Sequence, residues 1–222
     1  MKIFTYWYWK APKKITEPIV AIDAFAMTTN LSIILDQKPK KLILVNEKNY
    51  QKALNFYEKT ILIGESNQLS TATFAVSNAP SDIVKINFKG KSVIYMTING
   101  TRVFEKFAGH GQVLGCAFNN LKAVANYLKG FQKITIALAG DYPNTLLEDK
   151  LCAQILGWEI EGKKYDWEDF KKKMRKFIRN YYNWPPDKEI ASLRIVFDKS
   201  KYAIIPAGFI NKEGFVEVKC LE

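Results

Sequence analysis

Four short stretches of this 222-residue chain gather acids, hydroxyls, amides and an arginine where an apolar run gives way to polar residues. The first is Ala21-Ile22-Asp23-Ala24-Phe25-Ala26-Met27-Thr28-Thr29-Asn30. An Asp at a strand's end can hold Mg²⁺ or act as nucleophile or base, and the Thr hydroxyls can contact phosphate oxygens. Asp23 and Thr28 can equally cap a turn. The second is Thr97-Ile98-Asn99-Gly100-Thr101-Arg102, where Gly100 permits a tight turn, a following helix offers N–H groups, and Arg102 can clamp an anion bidentately. Asn-Gly is also an ordinary turn pair. The third, Ser77-Asn78-Ala79-Pro80-Ser81-Asp82, reads as a helix start with Ser77 or Asn78 as its cap. The fourth, Leu147-Glu148-Asp149-Lys150-Leu151-Cys152, puts two adjacent acids early in a helix, where the positive helix end accounts for them and a metal site is the sharper reading. A P-loop, a dinucleotide fingerprint and a nucleophile elbow are all absent from the sequence. The one histidine, His110, sits in a Gly-His-Gly turn, so a His-dependent triad would rest on a single unpromising residue, and a zinc site cannot be assembled from recognisable spacing.

These stretches need elements that hold them together. Short β-branched and aromatic runs alternate with segments of helical periodicity, the pattern of parallel strands joined by helical crossovers. Strands are expected at 3–9, 19–22, 41–45, 61–63, 93–96, 112–114 and 134–138, giving a three-layer α/β/α fold around a largely parallel or mixed sheet. Ligands in such sheets collect at the turns from strand to helix. The segment 48–57 aligns Tyr50, Leu54 and Tyr57 on one helical face, and 121–128 aligns Leu121, Val124, Ala125 and Leu128, with Asn120 as cap and Gly130 as stop. After Leu156 the alternation ends, which divides the chain into an α/β core (1–156) and a C-terminal region of helix and strand (157–222). That region either completes the same domain or forms a small second lobe. Within it, Asp166 is placed to cap a helix carrying Trp167, Phe170, Met174, Phe177, Ile178 and Tyr181 on one face, ended by Pro185 and Pro186. Lys171, Lys172, Lys173, Arg175, Lys176 and Arg179 fill the opposite face.

Composition narrows the class. With 48% hydrophobic and 14% aromatic residues the chain can bury a large core, which excludes disorder. No stretch approaches the roughly 20 apolar residues of a membrane span, and the run Ile3 to Trp9 lacks a small-residue cleavage site, so a cytoplasmic protein without membrane contact is expected. Cys116, Cys152 and Cys220 are too scattered for a metal cluster, and reduced, mostly buried thiols follow. The net charge of +11 suggests an anionic partner without saying which.

In order and spacing, the segments resemble the 2-phosphosulfolactate phosphatase family, Mg²⁺-dependent enzymes named for a step of coenzyme M biosynthesis. The residues that carry the likeness are Ile22-Asp23 with Thr28-Thr29; Gly64-Glu65; Asn78 and Pro80; Thr97 with Asn99-Gly100-Thr101-Arg102; Phe118, Asn120 and Ala123-Val124-Ala125; Ala139-Gly140; and Leu147-Glu148-Asp149 with Leu151-Cys152-Ala153. The likeness spans about residues 19–156 and continues faintly at Ala207-Gly208-Phe209. It implies a metal-assisted phosphomonoester hydrolase acting on a small phosphorylated, anionic acid. Asp23, Glu65 and Arg102 would be catalytic, Asp23, Glu148 and Asp149 would hold Mg²⁺, and Thr28, Asn78, Asn99, Gly100, Thr101, Arg102 and Asn120 would line the substrate site. The chain departs from the family pattern at Ala26 and Ser66, where the family carries Arg, and at Ser77, where it carries Gly; Arg102 is kept. A diverged member that binds an anion without turnover is the alternative, and self-association is left open. Nucleic-acid binding along the Lys171–Arg179 face ranks third, because the aromatic residues there keep core-facing spacing.

Overall fold

Helix α1 (Met27–Asp36) is buried on every side, from Met27 through Leu35, and the other elements are arranged around it. The structure, a computed structural model, describes residues 1–57, 59–64, 76–178 and 185–221, and of 176–178 the main chain alone. Its strands are β1 (Lys2–Trp7), β2 (Ile19–Ile22), β3 (Lys41–Val45), β4 (Thr60–Gly64), β5 (Val76–Ser77), β6 (Ser92–Met96), β7 (Val113–Cys116), β8 (Lys133–Leu138), β9 (Pro206–Ile210) and β10 (Val216–Cys220). The remaining helices are α2 (Tyr50–Phe56), α3 (Pro80–Ile83), α4 (Gly100–Phe107), α5 (Leu121–Leu128), α6 (Leu147–Glu161), α7 (Trp167–Ile178) and α8 (Pro186–Val196).

The expected strands recur with shifted ends. β1 stops at Trp7 because the chain turns through one 3₁₀ turn at Tyr8–Lys10, which stacks Trp9 on Trp7. β7 runs on to Cys116, and α2 starts at Tyr50 rather than Lys48 because Asn46 and Asn49 build a turn ahead of it. α5 spans the expected residues, and Asp166 caps α7 by accepting the Asp169 N–H. Pro186 opens α8, a position where a missing N–H costs nothing.

All ten strands form one sheet in the order β1-β8-β2-β7-β9-β10-β3-β6-β4-β5. β1, β8, β2 and β7 are parallel, as are β3, β6, β4 and β5. The antiparallel hairpin β9–β10 stands between these blocks, pairing with β7 on one side and β3 on the other. The mixed sheet of an α/β fold is therefore what the chain adopts, built as two parallel blocks joined by a hairpin from the far end of the sequence.

Both faces of the sheet are covered, which explains why its strands read as unbroken apolar runs. Ile19, Ala21, Leu42, Leu44, Val93 and Tyr95 point to the side of α1 and α4. Their neighbours Val20 and Ile22 point to α5, α6 and α7, and Ile43, Val45, Ile94 and Met96 point to α2. On the outer face Phe118 packs against Phe25, Trp167, Phe170 and Phe197. The basic face of α7 is partly paired with its own acids, Lys171 with Glu168 and Lys173 with Asp169.

The blocks run in opposite directions, so in a flat sheet their carboxyl ends would lie at opposite edges. Four strands also separate β2 from β6, about 24 Å at the usual strand spacing. Yet the loop after β6 touches the loops after β2 and β8. The sheet curls into a half-barrel around α1, and that curl brings the loops together.

Because β9 and β10 supply the pairing between the blocks, a chain ending at residue 156 would leave β7 and β3 without a shared neighbour. Such a fragment should lack the cooperative thermal transition of the full chain, as followed by circular dichroism.

Candidate functional site

The first loop is wound around its own main chain. The Thr28 hydroxyl donates to the Asp23 carbonyl at 2.7 Å and accepts the Asp23 N–H at 3.1 Å, and the Thr29 hydroxyl donates to the Ala24 carbonyl at 2.7 Å. Both threonines are fully buried, so their hydroxyls shape the loop that presents Asp23. The Asp23 carboxylate then accepts main-chain N–H groups from Ala26 and Met27 at the start of α1 and from Gly100 at the start of α4. One carboxylate thus caps two helices. A Cβ at Gly100 would collide with Asp23 Oδ2 and with the Met27 side chain, so the approach of α4 to this acid requires glycine.

The rest of that helix end is closed by Thr97, whose hydroxyl accepts the Thr101 N–H at 3.1 Å while Thr101 Oγ1 accepts the Thr97 N–H at 3.3 Å. Gly100 and Thr101 therefore spend their N–H groups on Asp23 and Thr97. Asn99 projects from the same turn and donates to Asp141 Oδ1 at 3.3 Å; its own Oδ1 is buried and has no hydrogen-bond partner. Asp141, which sequence reasoning passed over, follows Ala139-Gly140 directly at the end of β8. Its position after that pair was the available signal.

Asp149, at the start of α6, is buried and ties two loops together. Its Oδ1 accepts the Ala24 N–H at 2.9 Å and its Oδ2 the Gly140 N–H at 2.8 Å. Burial, then the charges of Asp23 and Glu148, push its carboxyl well above the usual carboxylate range. Burial also pushes Asp23 up to about 6, against the lowering pull of its three N–H donors. Glu148 is buried beside Asp149. Asp23, Glu148 and Asp149 are thus electrostatically linked. Among the described residues, no group of three or more His, Cys, Asp or Glu side chains is arranged to hold a metal ion. Two desolvated acids and the unpartnered Asn99 oxygen nevertheless match the sparse protein donor set of Mg²⁺, which usually completes its shell with water and substrate oxygens.

Arg102 is exposed on the other side of the α4 start. It lines an open cavity of about 260 Å³ with Asn46, Glu47, Lys48, Met96, Thr97, Ile98 and Glu105, at the carboxyl ends of β3 and β6. Glu105, one turn after Arg102, accepts from Asn46 Nδ2 at 2.6 Å. Burial raises its carboxyl, while the Asn46 and Asn49 amides and the charges of Arg102 and Lys48 pull the other way. Asn46, Lys48 and Glu105 escaped the sequence reading because no strand-end motif marks them. Only the pairing of β3 with β6 brings them beside Arg102.

The other candidates fall elsewhere. Asn120 is fully buried, accepting the Ala117 N–H and donating to the Gly115 and Ile204 carbonyls, so it anchors the approach to β9. The Asn78 carbonyl accepts from Asn30, a buried α1 residue that also donates to the Tyr95 hydroxyl. Ser77 accepts from Lys188 Nζ at 2.9 Å and donates to Asp82, which pairs with the same lysine. Ala26 is buried. Glu65 and Ser66 lie outside the described residues.

Two expectations follow. Gly100→Ala should displace Asp23 and lower the melting temperature, with a loss on the order of 1–3 kcal/mol in denaturant titrations. An acid raised by folding stabilises the fold below its unfolded pKa and loses that contribution as pH rises through its folded value. In metal-free buffer the chain should therefore lose stability between about pH 4 and 6, on the order of 2–3 kcal/mol from Asp23. Asp23→Asn should flatten that slope, leaving the contributions of Asp149 and Glu105.

A family model described as 2-phosphosulpholactate phosphatase matches residues 9–192. A probable 2-phosphosulfolactate phosphatase of Thermoplasma volcanium is 28% identical over 164 residues, 72% of this chain and 76% of the relative. Proteins of the same description from Caldanaerobacter subterraneus and Thermotoga maritima are 34% and 33% identical, over 61% and 60% of this chain and 58% of each relative. The matched stretch thus spans less than two thirds of these last two relatives. With the family model covering most of its length, the chain belongs to the 2-phosphosulpholactate phosphatase family.

Proposed function

We propose that the chain is a phosphomonoester hydrolase that removes phosphate from a small phosphorylated carboxylic or sulfonated carboxylic acid, with Mg²⁺ as its cofactor. The observation that supports this reading is the meeting of three strand ends: Asp23 after β2, Asp141 and Asp149 around the end of β8, and Asn99 with Arg102 after β6. A cluster of buried acids thereby lies at the start of the helix whose Arg102, with Lys48, lines a cavity that also holds Glu47 and Glu105.

Asp23 and Asp149 would hold the ion, with Asn99 Oδ1 as a neutral donor. When bound, Mg²⁺ would polarise the phosphoryl oxygens and offset charge developing at phosphorus. Arg102 binds the phosphate through paired N–H donors, and Lys48 adds a second positive charge from across the cavity. Arg102 and Lys48 supply positive charge that Ala26 does not. Water supplies the oxygen that bonds to phosphorus as the ester P–O bond breaks, and Glu105, whose carboxyl is raised by burial, is suited to give a proton to the departing alkoxide. The substrate's second anionic group adds to the demand for cations, which favours a small dianionic or trianionic ester.

Purified protein should release phosphate from 2-phosphosulfolactate or 2-phospholactate only when Mg²⁺ is present. Arg102→Ala should lower kcat/KM by about 10²-fold or more. Glu105→Gln should slow alkyl phosphates by about 10²-fold while sparing p-nitrophenyl phosphate, whose leaving group needs no proton. Absence of phosphate release across a panel of such esters, with Arg102-dependent binding retained, would replace catalysis by anion binding.

A further inference from the structure

A second concavity lies at the opposite ends of the same strands. Lys40 and Lys41 lead into β3, Lys59 precedes β4 and Lys91 precedes β6, and all four line one open groove of about 580 Å³. The Lys40 N–H donates to the Lys91 carbonyl at 2.8 Å, which fixes two of these segments side by side. Phe56 and Tyr57, at the end of α2, form the aromatic wall; Phe56 is 53% exposed, and the Lys41 ammonium lies 5.1 Å from the centre of the Tyr57 ring. Among the described residues no acid lines this groove, and none of the four lysines makes an ion pair.

Some lysines elsewhere on the molecule are answered by acids, among them Lys171 by Glu168, Lys188 by Asp82 and Lys199 by Glu159, whereas what sets these four apart is their convergence on one concavity. Four ammonium groups around one concavity, none of them paired with an acid among the described residues, repel one another, and a ligand with several closely spaced negative charges would relieve that repulsion. The volume falls within the range of small-molecule sites, and an exposed aromatic ring beside cations suits a flat base. We propose that this groove binds a polyphosphate-bearing ligand of nucleotide size, at a site separate from the Asp23–Arg102 region. The chemistry is shared by nucleoside triphosphates and inorganic tripolyphosphate. It does not depend on the phosphatase reading, because the groove lies at the amino ends of β3, β4 and β6 and the Arg102 cavity lies at the carboxyl ends of β3 and β6.

Isothermal titration of the full chain in EDTA, with ATP, tripolyphosphate and a twelve-nucleotide oligothymidylate as probes, tests this. The Lys40→Gln/Lys91→Gln double variant is compared with Lys129→Gln/Lys133→Gln, which removes the same charge near the start of β8. Saturable binding of tripolyphosphate or ATP, weakened about tenfold or more by the groove variant and less than about twofold by the control, is the expected result. Tighter binding of ATP would add a base contact, and equal affinities would assign recognition to phosphates alone. The proposal is overturned by a lack of saturable binding, or by equal losses in the two variants. It is also overturned if only the oligonucleotide binds, with an affinity that collapses with salt. Circular dichroism verifies folding, and Lys59→Asn, which suits the positive φ at that position, provides a second groove variant.

Discussion

A helix buried on every side must satisfy its polar groups without water, and in this protein that demand organises the loops around α1. Thr28 and Thr29 turn their hydroxyls back onto the preceding loop, and Asn30 reaches the Asn78 carbonyl and the Tyr95 hydroxyl. Asn119 donates to the Thr29 carbonyl from the end of β7. These bonds tie α1 to β2, β5, β6 and β7 together. The sheet wraps around α1, and this wrapping overcomes the opposed directions of its two parallel blocks.

Once the carboxyl ends are drawn together, the electrostatics of the site follow from packing. Asp23 is positioned by the amino ends of two helices, which favour its charge, while desolvation opposes it more strongly. Asp149 is held by two main-chain N–H groups and raised by the same competition, with two neighbouring acids adding to it. The surroundings thus gather acids whose charged forms burial disfavours at the start of the helix that carries the exposed Arg102, although the chain as a whole is strongly basic. The basic excess is spread over surfaces away from these acids, including α7 and the lysine groove.

Strands β2, β3, β6 and β8 were legible in the sequence because a sheet covered on both faces imposes continuous apolar runs, and α5 because one of its faces meets water. α1 left no such one-sided pattern: Thr28, Thr29, Asn30 and Ser32 are as buried as the leucine and isoleucines beside them. The loop order around Asp23, Asn99 and Asp149 was legible as a family pattern. Which atoms those residues would touch was not, since Gly100 and Thr101 are engaged by partners far away or across the helix end. The cavity of Arg102 depends on Asn46 and Glu105, 56 and 3 residues from it, and only the parallel pairing of β3 with β6 unites them. The strands β9 and β10 were the least legible part, because their place is set by partners β7 and β3 rather than by any local periodicity.

That central hairpin has a consequence for how the molecule is born. A ribosome releases β1 to β8 first, and β10 only after roughly 80 further residues, an interval of about 4–16 s at ordinary elongation rates. Through that interval the nascent chain holds two parallel blocks whose inner edges, β7 and β3, present bare main-chain donors and acceptors to any passing strand. Vectorial synthesis therefore leaves the seam of the sheet to be closed last, and the loops that meet around Asp23 can reach their final places only when the hairpin has been inserted.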